Sequence, residues 1–300
     1  TTTTTITTTT LSRCSRYAGP LRWRHHPAGN DAPTVELALL PLGEAPRLVH
    51  PSSAPRLLSN FAPTALRLLP KSPFYEAAQT NLDFLRSIPH QRLFFNIRAT
   101  AGLPQPAGAR PFGGWESPGA GIRGHFVGHY VGALALGMAT GDGELARRSR
   151  DALQILEQAQ RAHTSAGRLG YLASFPEHEF EKAEALGVKG PMWVPHYATQ
   201  KVLTGLLAQH EVANATTALP LALAMGSYIV RRAERQRAER GEATWAEGLN
   251  YEVGALAEVF VSFARLTRNE SWLVAAAMCD RHCFTGALAA AGALHKPGTL

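Results

Sequence analysis

The sequence predicts an all-α fold, a toroid of helical hairpins, and three observations carry that reading. Apolar residues recur at helical spacing from Phe74 onward. Segments that are small and apolar nearly all round alternate with segments that keep a charged face, as an inner ring of buried helices and an outer ring of half-exposed ones require. Runs with the period-two alternation of strands are nearly absent.

The elements follow in order. Residues 1–55 open on TTTTTITTTT, are rich in Thr, Pro, Arg and Ala, and lack periodicity. They read as a low-complexity, mostly disordered segment, with the ordered domain expected over 56–300. The first residue is Thr and not Met, which reads as a processed or incomplete chain. FAPTALRLLPKSPF (Phe61–Phe74) has room for one short strand or turn. Phe74, Ala77, Ala78, Leu82 and Leu85 then form a helical stripe over 74–88, and a short helix is expected at 91–99. GLPQPAGARPFGGWESPGAG (102–121) is a long loop of the kind that carries function. Helices are expected at 124–140, 144–162, 197–209, 215–240, 252–267 and 271–290, with stop signals in TGDGE (140–144) and TRNES (267–271). Those at 124–140 and 252–267 are of the buried, apolar kind; those at 144–162 and 215–240 carry a charged face.

Composition narrows the function. Thirty Lys and Arg against 23 Asp and Glu leave a formal charge of +7, a balance that suits nucleic acid or a membrane surface when it is concentrated. Here the arginines are scattered and interleaved with acids, as in RRAERQRAERGE (231–242), the wet face and end of a helix. Nucleic acid is therefore not an expected partner. No apolar run approaches the roughly 18–20 residues of a membrane span. The three cysteines cannot all pair. Cys279, His282 and Cys283, in CDRHC, are too sparse for a zinc site, which draws on four ligands, and they read as ordinary helix side chains. Two sequons, Asn214-Ala-Thr216 and Asn269-Glu-Ser271, favour the secretory route; an acid-free, Arg-bearing stretch up to Asn30 leaves organelle targeting open.

Chemistry-bearing residues gather near the starts of the apolar helices, hence at one end of the toroid. FGGWESPGAGIRGHFVGHY supplies Trp115, Glu116, Arg123, His125 and His129; GPMWVPHYATQK supplies Trp193, His196, Tyr197, Gln200 and Lys201; EGLNYEVGALAEVF supplies Asn250, Tyr251, Glu252 and Glu258. Tryptophans, carboxylates, amides and histidines together suit a sugar, whose apolar face stacks on aromatic rings while its hydroxyls meet polar groups. Glycosidic hydrolysis uses two carboxyl groups about 5–10 Å apart, and Glu116, Glu252 and Glu258 are the candidates. His125 and His129 share a helix face. The metalloprotease form of H-x-x-x-H needs Glu directly after the first His; that position is Phe126, so the pair reads as pocket lining or core and not as a metal site. His125, nearer the loop, is expected to reach the pocket and His129 to brace it.

LFFNIRATAGLPQPAGARPFGGWE, IRGHFVGHYVGALALGMATGD, GYLASFP, WVPHYATQKVLTGLL and EVFVSFARLTRN, in this order, resemble the catalytic domain of glycoside hydrolase family 127, the β-L-arabinofuranosidase-like enzymes, over about Phe61 to His295. The resemblance implies an (α/α)6 barrel, of which this chain would hold the N-terminal part. It implies retaining removal of terminal β-L-arabinofuranosyl residues from glycans or glycoproteins. The nucleophile it implies is a cysteine thiolate held on zinc by further cysteines and a glutamate. Those motifs belong to the later part of the family's barrel, and Cys279 and Cys283 do not sit in them. No catalytic residue and no metal ligand is therefore assigned in this chain. The residues expected at the sugar are Gln79, Trp115, Glu116, Arg123, His125, His129, Trp193, Gln200, Glu252 and His295. Gln79 and Arg123 match the family as they stand, Gln200 replaces a sugar-binding histidine, and GALA before Glu258 loses an amide. After His295 the residues KPGTL leave the pattern, which reads as truncation. The alternative is a non-catalytic carbohydrate-binding or structural relative. A partial ring should also leave Leu134, Leu136 and Leu256 partly exposed.

Overall fold

Local chemistry sets most of the helix ends. Ser72 caps the first helix through Tyr75 N–H (3.2 Å), with Pro73 at its first position, which needs no N–H donor. Asp142 caps another through Leu145 N–H (2.9 Å). Pro195 starts a third, and Gly102 (φ 70°) and Arg268 (φ 56°) end two more in the left-handed region.

The computed structural model describes residues 61–186, 192–251 and 254–281. Outside them lie the expected disorder of 1–55, the domain boundary at 56, the helix expected beyond Arg281, and Glu252, His282, Cys283 and His295. The described residues form eleven α-helices and no strand: α1 (Pro73–Ser87), α2 (His90–Leu93), α3 (Phe95–Ala101), α4 (His125–Met138), α5 (Gly143–Ser165), α6 (Glu177–Leu186), α7 (Pro195–Glu211), α8 (Ala218–Arg240), α9 (Glu242–Tyr251), α10 (Leu256–Thr267) and α11 (Ser271–Met278). The short strand or turn allowed at 61–74 is a 3-10 turn, Pro63–Ala65. The helix expected at 91–99 divides at Phe94, where ψ is 6°. Helices α6 and α9 were not expected: their apolar positions are few, and their packing is tertiary.

Three hairpins, α4–α5, α7–α8 and α10–α11, make the arc. Their first helices run parallel. Gly128 meets Lys201 and Val202, and Gly132 meets Gly205, at one constant offset along α4 and α7. The start of α10 touches Tyr197 and Gln200 through Gly254, while its end reaches Glu211 through Arg265. The starts of α4, α7 and α10 therefore share one end of the molecule. Asn214 and Asn269 lie exposed in the turns at the opposite end. Tyr130, Leu134, Val202, Leu206, Phe260 and Phe263 are buried between the layers. This is the all-α hairpin architecture of an (α/α)6 toroid.

The α4–α7 contact is closer than side chains allow. A Cβ on Gly205 would stand 2.5 Å from Gly128 O, and one on Gly128 would fall inside the backbone of Lys201 and Val202. The backbones touch directly, with Cα–H groups facing carbonyls. Below this contact Gln209 donates to Val131 O (2.7 Å) and accepts from Ser149 Oγ (2.6 Å), joining α7 to α4 and α5 with no exposed atom on Gln209. Gln160 similarly donates to Gly170 O and Leu221 O, both at 3.0 Å, and ties α5 to α8.

Charges tie down the rest. Arg232, 3% exposed, holds Glu184 with two bonds (2.6 and 2.9 Å) and lies over the Phe180 ring, pinning α6 to α8. Arg148 collects the carbonyls of Arg86 (2.5 Å) and Ile88 (2.7 Å) at the end of α1, a cation where the helix dipole is negative. The expected exposure of apolar faces is corrected: Leu134 and Leu256 are fully buried, by α7 and by the α10–α11 packing, and Leu136 alone of the three is exposed, at 53%. Helix α10 is likewise one-sided, with Val259, Phe260 and Phe263 buried but Glu258 and Val261 exposed.

Two outcomes follow from this packing. Gly128→Ala should cost about 3 kcal/mol, because the main chain it would strike cannot move aside, whereas Gly132→Ala, whose Cβ would meet Gly205 Cα at 3.6 Å, should be neutral or slightly stabilising; thermal melts of the two variants check this. The second concerns acid. Burial pushes His90 and His163 down to about 4 and His196 to about 3, so each stays neutral in the fold but takes up a proton in the unfolded chain below about 6.5. Their contribution is complete above pH 6.5 and is lost as pH falls from there toward 4, by up to about 1.4 kcal/mol per pH unit for each group. Denaturant midpoints should therefore fall between pH 7 and pH 5.

Candidate functional site

The starts of α4 and α7 are built by the long loop before α4. Arg92 holds that loop by donating to Arg110 O (3.2 Å) and Pro111 O (3.0 Å) and covers the Phe112 ring at 4.6 Å. A 3-10 turn, Gly114–Glu116, follows. Helix α4 begins at Gly124, which cannot cap with a side chain and whose φ of 94° favours glycine; a Cβ there would also meet Ser174 Oγ at 2.6 Å. Glu116 does the capping from eight residues upstream. Its Oε2 accepts from Gly124 N–H (2.7 Å), and its Oε1 accepts from Phe126 N–H (2.9 Å) and lies 3.2 Å from His125 Nδ1. An anion at a helix N-terminus satisfies orphan donors and the dipole together.

Beside this cap is a cavity of about 200 Å³, lined by Leu93, Phe112, Gly113, Trp115, Glu116, His125 and Phe126. The Trp115 ring is 74% exposed and stands 5.9 Å from the His125 ring. A row of rings continues along the inner face: His125 to Tyr197 at 6.2 Å and His125 to His129 at 6.1 Å, with Lys201 Nζ 4.8 Å over Tyr197. Trp193, 46% exposed, joins the lead-in of α7 to that of α4 by donating its main-chain N–H to Gly121 O (3.3 Å). The Glu116 hydrogen bond raises the His125 pKa against the opposing effect of burial.

The structure thus brings Trp115, Glu116, His125 and His129 together, with Tyr197 and Lys201, and sets Trp193 at the neighbouring lead-in. It corrects several expectations. His125 lines the cavity but is the buried member of the pair, and His129 is the exposed one. Arg123 is buried: it donates to Ala120 O (2.9 Å) and Ser174 O (3.2 Å) and pairs with Glu179 at the start of α6. Gln200 is buried under Gly254 and donates to Thr204 Oγ1 (2.8 Å), while its Oε1 has no partner among the described residues. Gln79 is half-buried on α1, and no described contact joins it to the cluster. Glu258 is exposed. No periodicity could reveal the Glu116 cap or the Glu179 partner of Arg123, since both depend on how loops return to the helix start.

An arc of parallel inner helices with an aromatic and imidazole-lined cavity at their starts is the arrangement of the helical-toroid glycoside hydrolases. The chain belongs to the β-L-arabinofuranosidase family with a GH127 catalytic domain, whose model matches residues 66–298. No curated protein matches it.

The zinc that this resemblance implies does not fit the described residues. Among them no three His, Cys, Asp or Glu side chains converge. Burial pushes the Cys279 thiol up to about 12, which keeps it neutral, whereas a zinc-bound cysteine is a thiolate. No step is routed through a metal here.

Replacing Glu116 by Ala would leave two buried backbone donors and the His125 ring without their anion. The expected cost is about 3 kcal/mol, with the first turn of α4 losing amide protection first; hydrogen exchange of Gly124–Phe126 reads it.

Proposed function

We propose that this chain is a glycoside hydrolase-like domain that takes terminal β-L-arabinofuranosyl residues of glycans or glycoproteins at the Trp115–His125 cavity. The observation that supports it most is the family match over 66–298 together with an exposed tryptophan beside buried polar groups. Trp115 offers its face to the apolar side of the sugar ring. His125, His129 and Lys201 meet the hydroxyls. Leu93 and Phe112 exclude water from the back of the cavity. At about 200 Å³ it is below the roughly 300 Å³ at which pockets for larger ligands begin, and it suits one terminal sugar unit.

One observation favours a second reading, a carbohydrate-binding relative without turnover. Hydrolysis uses a pair of carboxyl groups across the bond. Both oxygens of Glu116 are taken by the α4 start, and Glu258 points to solvent on α10. The exposed Trp115 supports sugar binding, whereas among the described residues neither such a pair nor a zinc-held cysteine thiolate is assembled at this cavity.

The test is product analysis of the full chain with an aryl β-L-arabinofuranoside, with and without a chelator. Arabinose release that the chelator abolishes supports the hydrolase reading. Saturable binding without release supports the second. Neither binding nor release overturns both. In the binding assay Trp115→Ala should weaken affinity about tenfold, the worth of about 1.4 kcal/mol of stacking, and leave the melting temperature unchanged because the ring is largely exposed.

A further inference from the structure

His125 is held by two oxygens at a single ring nitrogen. Its Nδ1 lies 2.8 Å from Ile122 O and 3.2 Å from Glu116 Oε1. A carbonyl and a carboxylate can only accept, so Nδ1 must carry the proton. That is the minor tautomer of free neutral histidine, and here the surroundings impose it. Glu116 is itself immobilised, 7% exposed, with its carboxylate on the N–H groups of Gly124 and Phe126 and its main-chain oxygen accepting from Asn96 Nδ2 at 2.8 Å. The other ring nitrogen, Nε2, has no partner among the described residues, and the ring lines the cavity beside Trp115.

We propose that Glu116 is a positioning residue: together with the nearer acceptor, Ile122 O, it holds His125 in the Nδ1–H form and so presents Nε2 to the cavity as the directed contact for an oxygen of the ligand. The ligand class, a sugar offering a hydroxyl, ring oxygen or carboxylate, rests on the sugar-site reading above; the locked ring does not. Groups from every side bear on its charge. Glu116 from the loop favours the imidazolium, and Lys201 from α7 opposes it; Tyr197 and Trp115 are uncharged, and His129 lies edge-on one turn along α4. The balance raises the pKa, with the Glu116 hydrogen bond the largest cause. In the charged ring Nε2–H donates to a ligand oxygen; once the ring is neutral, Nε2 accepts from a ligand hydroxyl. The same atom serves both states, because Ile122 O and Glu116 face Nδ1–H in both.

Nitrogen NMR of the full chain labelled with ¹⁵N-histidine tests this, with His125→Asn used to assign the resonance by its disappearance. The expected result is a neutral form protonated at Nδ1 and a pKa above 6.5. A neutral form protonated at Nε2, or a pKa at or below 6.5, overturns the proposal. In Glu116→Gln the pKa should fall and the preference for Nδ1–H should weaken; a folded variant with an unchanged titration also overturns it. The readout uses no sugar. Its failure leaves the glycan reading standing, and failure of the arabinofuranoside assay leaves the Glu116–His125 couple standing.

Discussion

The direct backbone contact between α4 and α7 is the constraint on which the rest of this structure depends. Gly128 and Gly205 remove the side chains that would hold the helices at their usual separation. Parallel and in register, the two helices then bring their first turns side by side. His125 and Tyr197 can face each other across that seam at 6.2 Å, and Lys201 can lie over Tyr197. A helix pair spaced by leucines would separate these groups by an additional side-chain layer. The glycines carry a propensity cost of about 1 kcal/mol each, offset by the continuous contact and by the Gln209 bonds to Val131 O and Ser149 at its far end.

Around that seam most charged residues that resemble binding groups are occupied with holding the lead-in segments in place. Glu116 replaces the cap that Gly124 cannot supply. Arg123 closes the loop at Ala120, the strandless segment at Ser174 and the start of α6 at once. Arg232 and Glu184 do the same for α6 and α8. A buried ion pair earns little net stability but penalises any arrangement that separates its members. These pairs therefore specify geometry more than they add free energy. The groups not engaged in that way are fewer than the polar residues in the motifs: among the described residues they are the exposed Trp115 face, Nε2 of His125, and His129.

The helical hairpins were legible in the sequence because burial of one helix face imposes a 3.6-residue period on the chain itself. Helices α1, α4, α5, α7 and α8 begin and end within a few residues of where that period and the caps place them. Helices α6 and α9 were not legible. Helix α6, EHEFEKAEAL, has a buried Phe180 and Ala183 but four Glu, one Lys and one His among its ten residues; its position comes from Arg123 and Arg232 reaching it from distant elements. The division at Phe94 is equally tertiary, since Phe94 is fully buried against the Tyr130 ring in a conformation outside the helix.

The candidate site divides along the same line. Sequence by itself determined the all-α hairpin class, the family through five ordered motifs, and the concentration of aromatic and imidazole groups at the helix starts. Each is written in local order or spacing. Only the tertiary structure decided which of those groups line the cavity and which are buried in hydrogen bonds. It tied Arg123 to Ala120, Ser174 and Glu179, set Gln200 under Gly254, and placed a buried His125 at the cavity with His129 exposed one turn along. The reason is physical: a spacing of four residues fixes that two side chains share a helix face, but what covers that face comes from α7 and from the loop that carries Glu116, the cap eight residues upstream of Gly124.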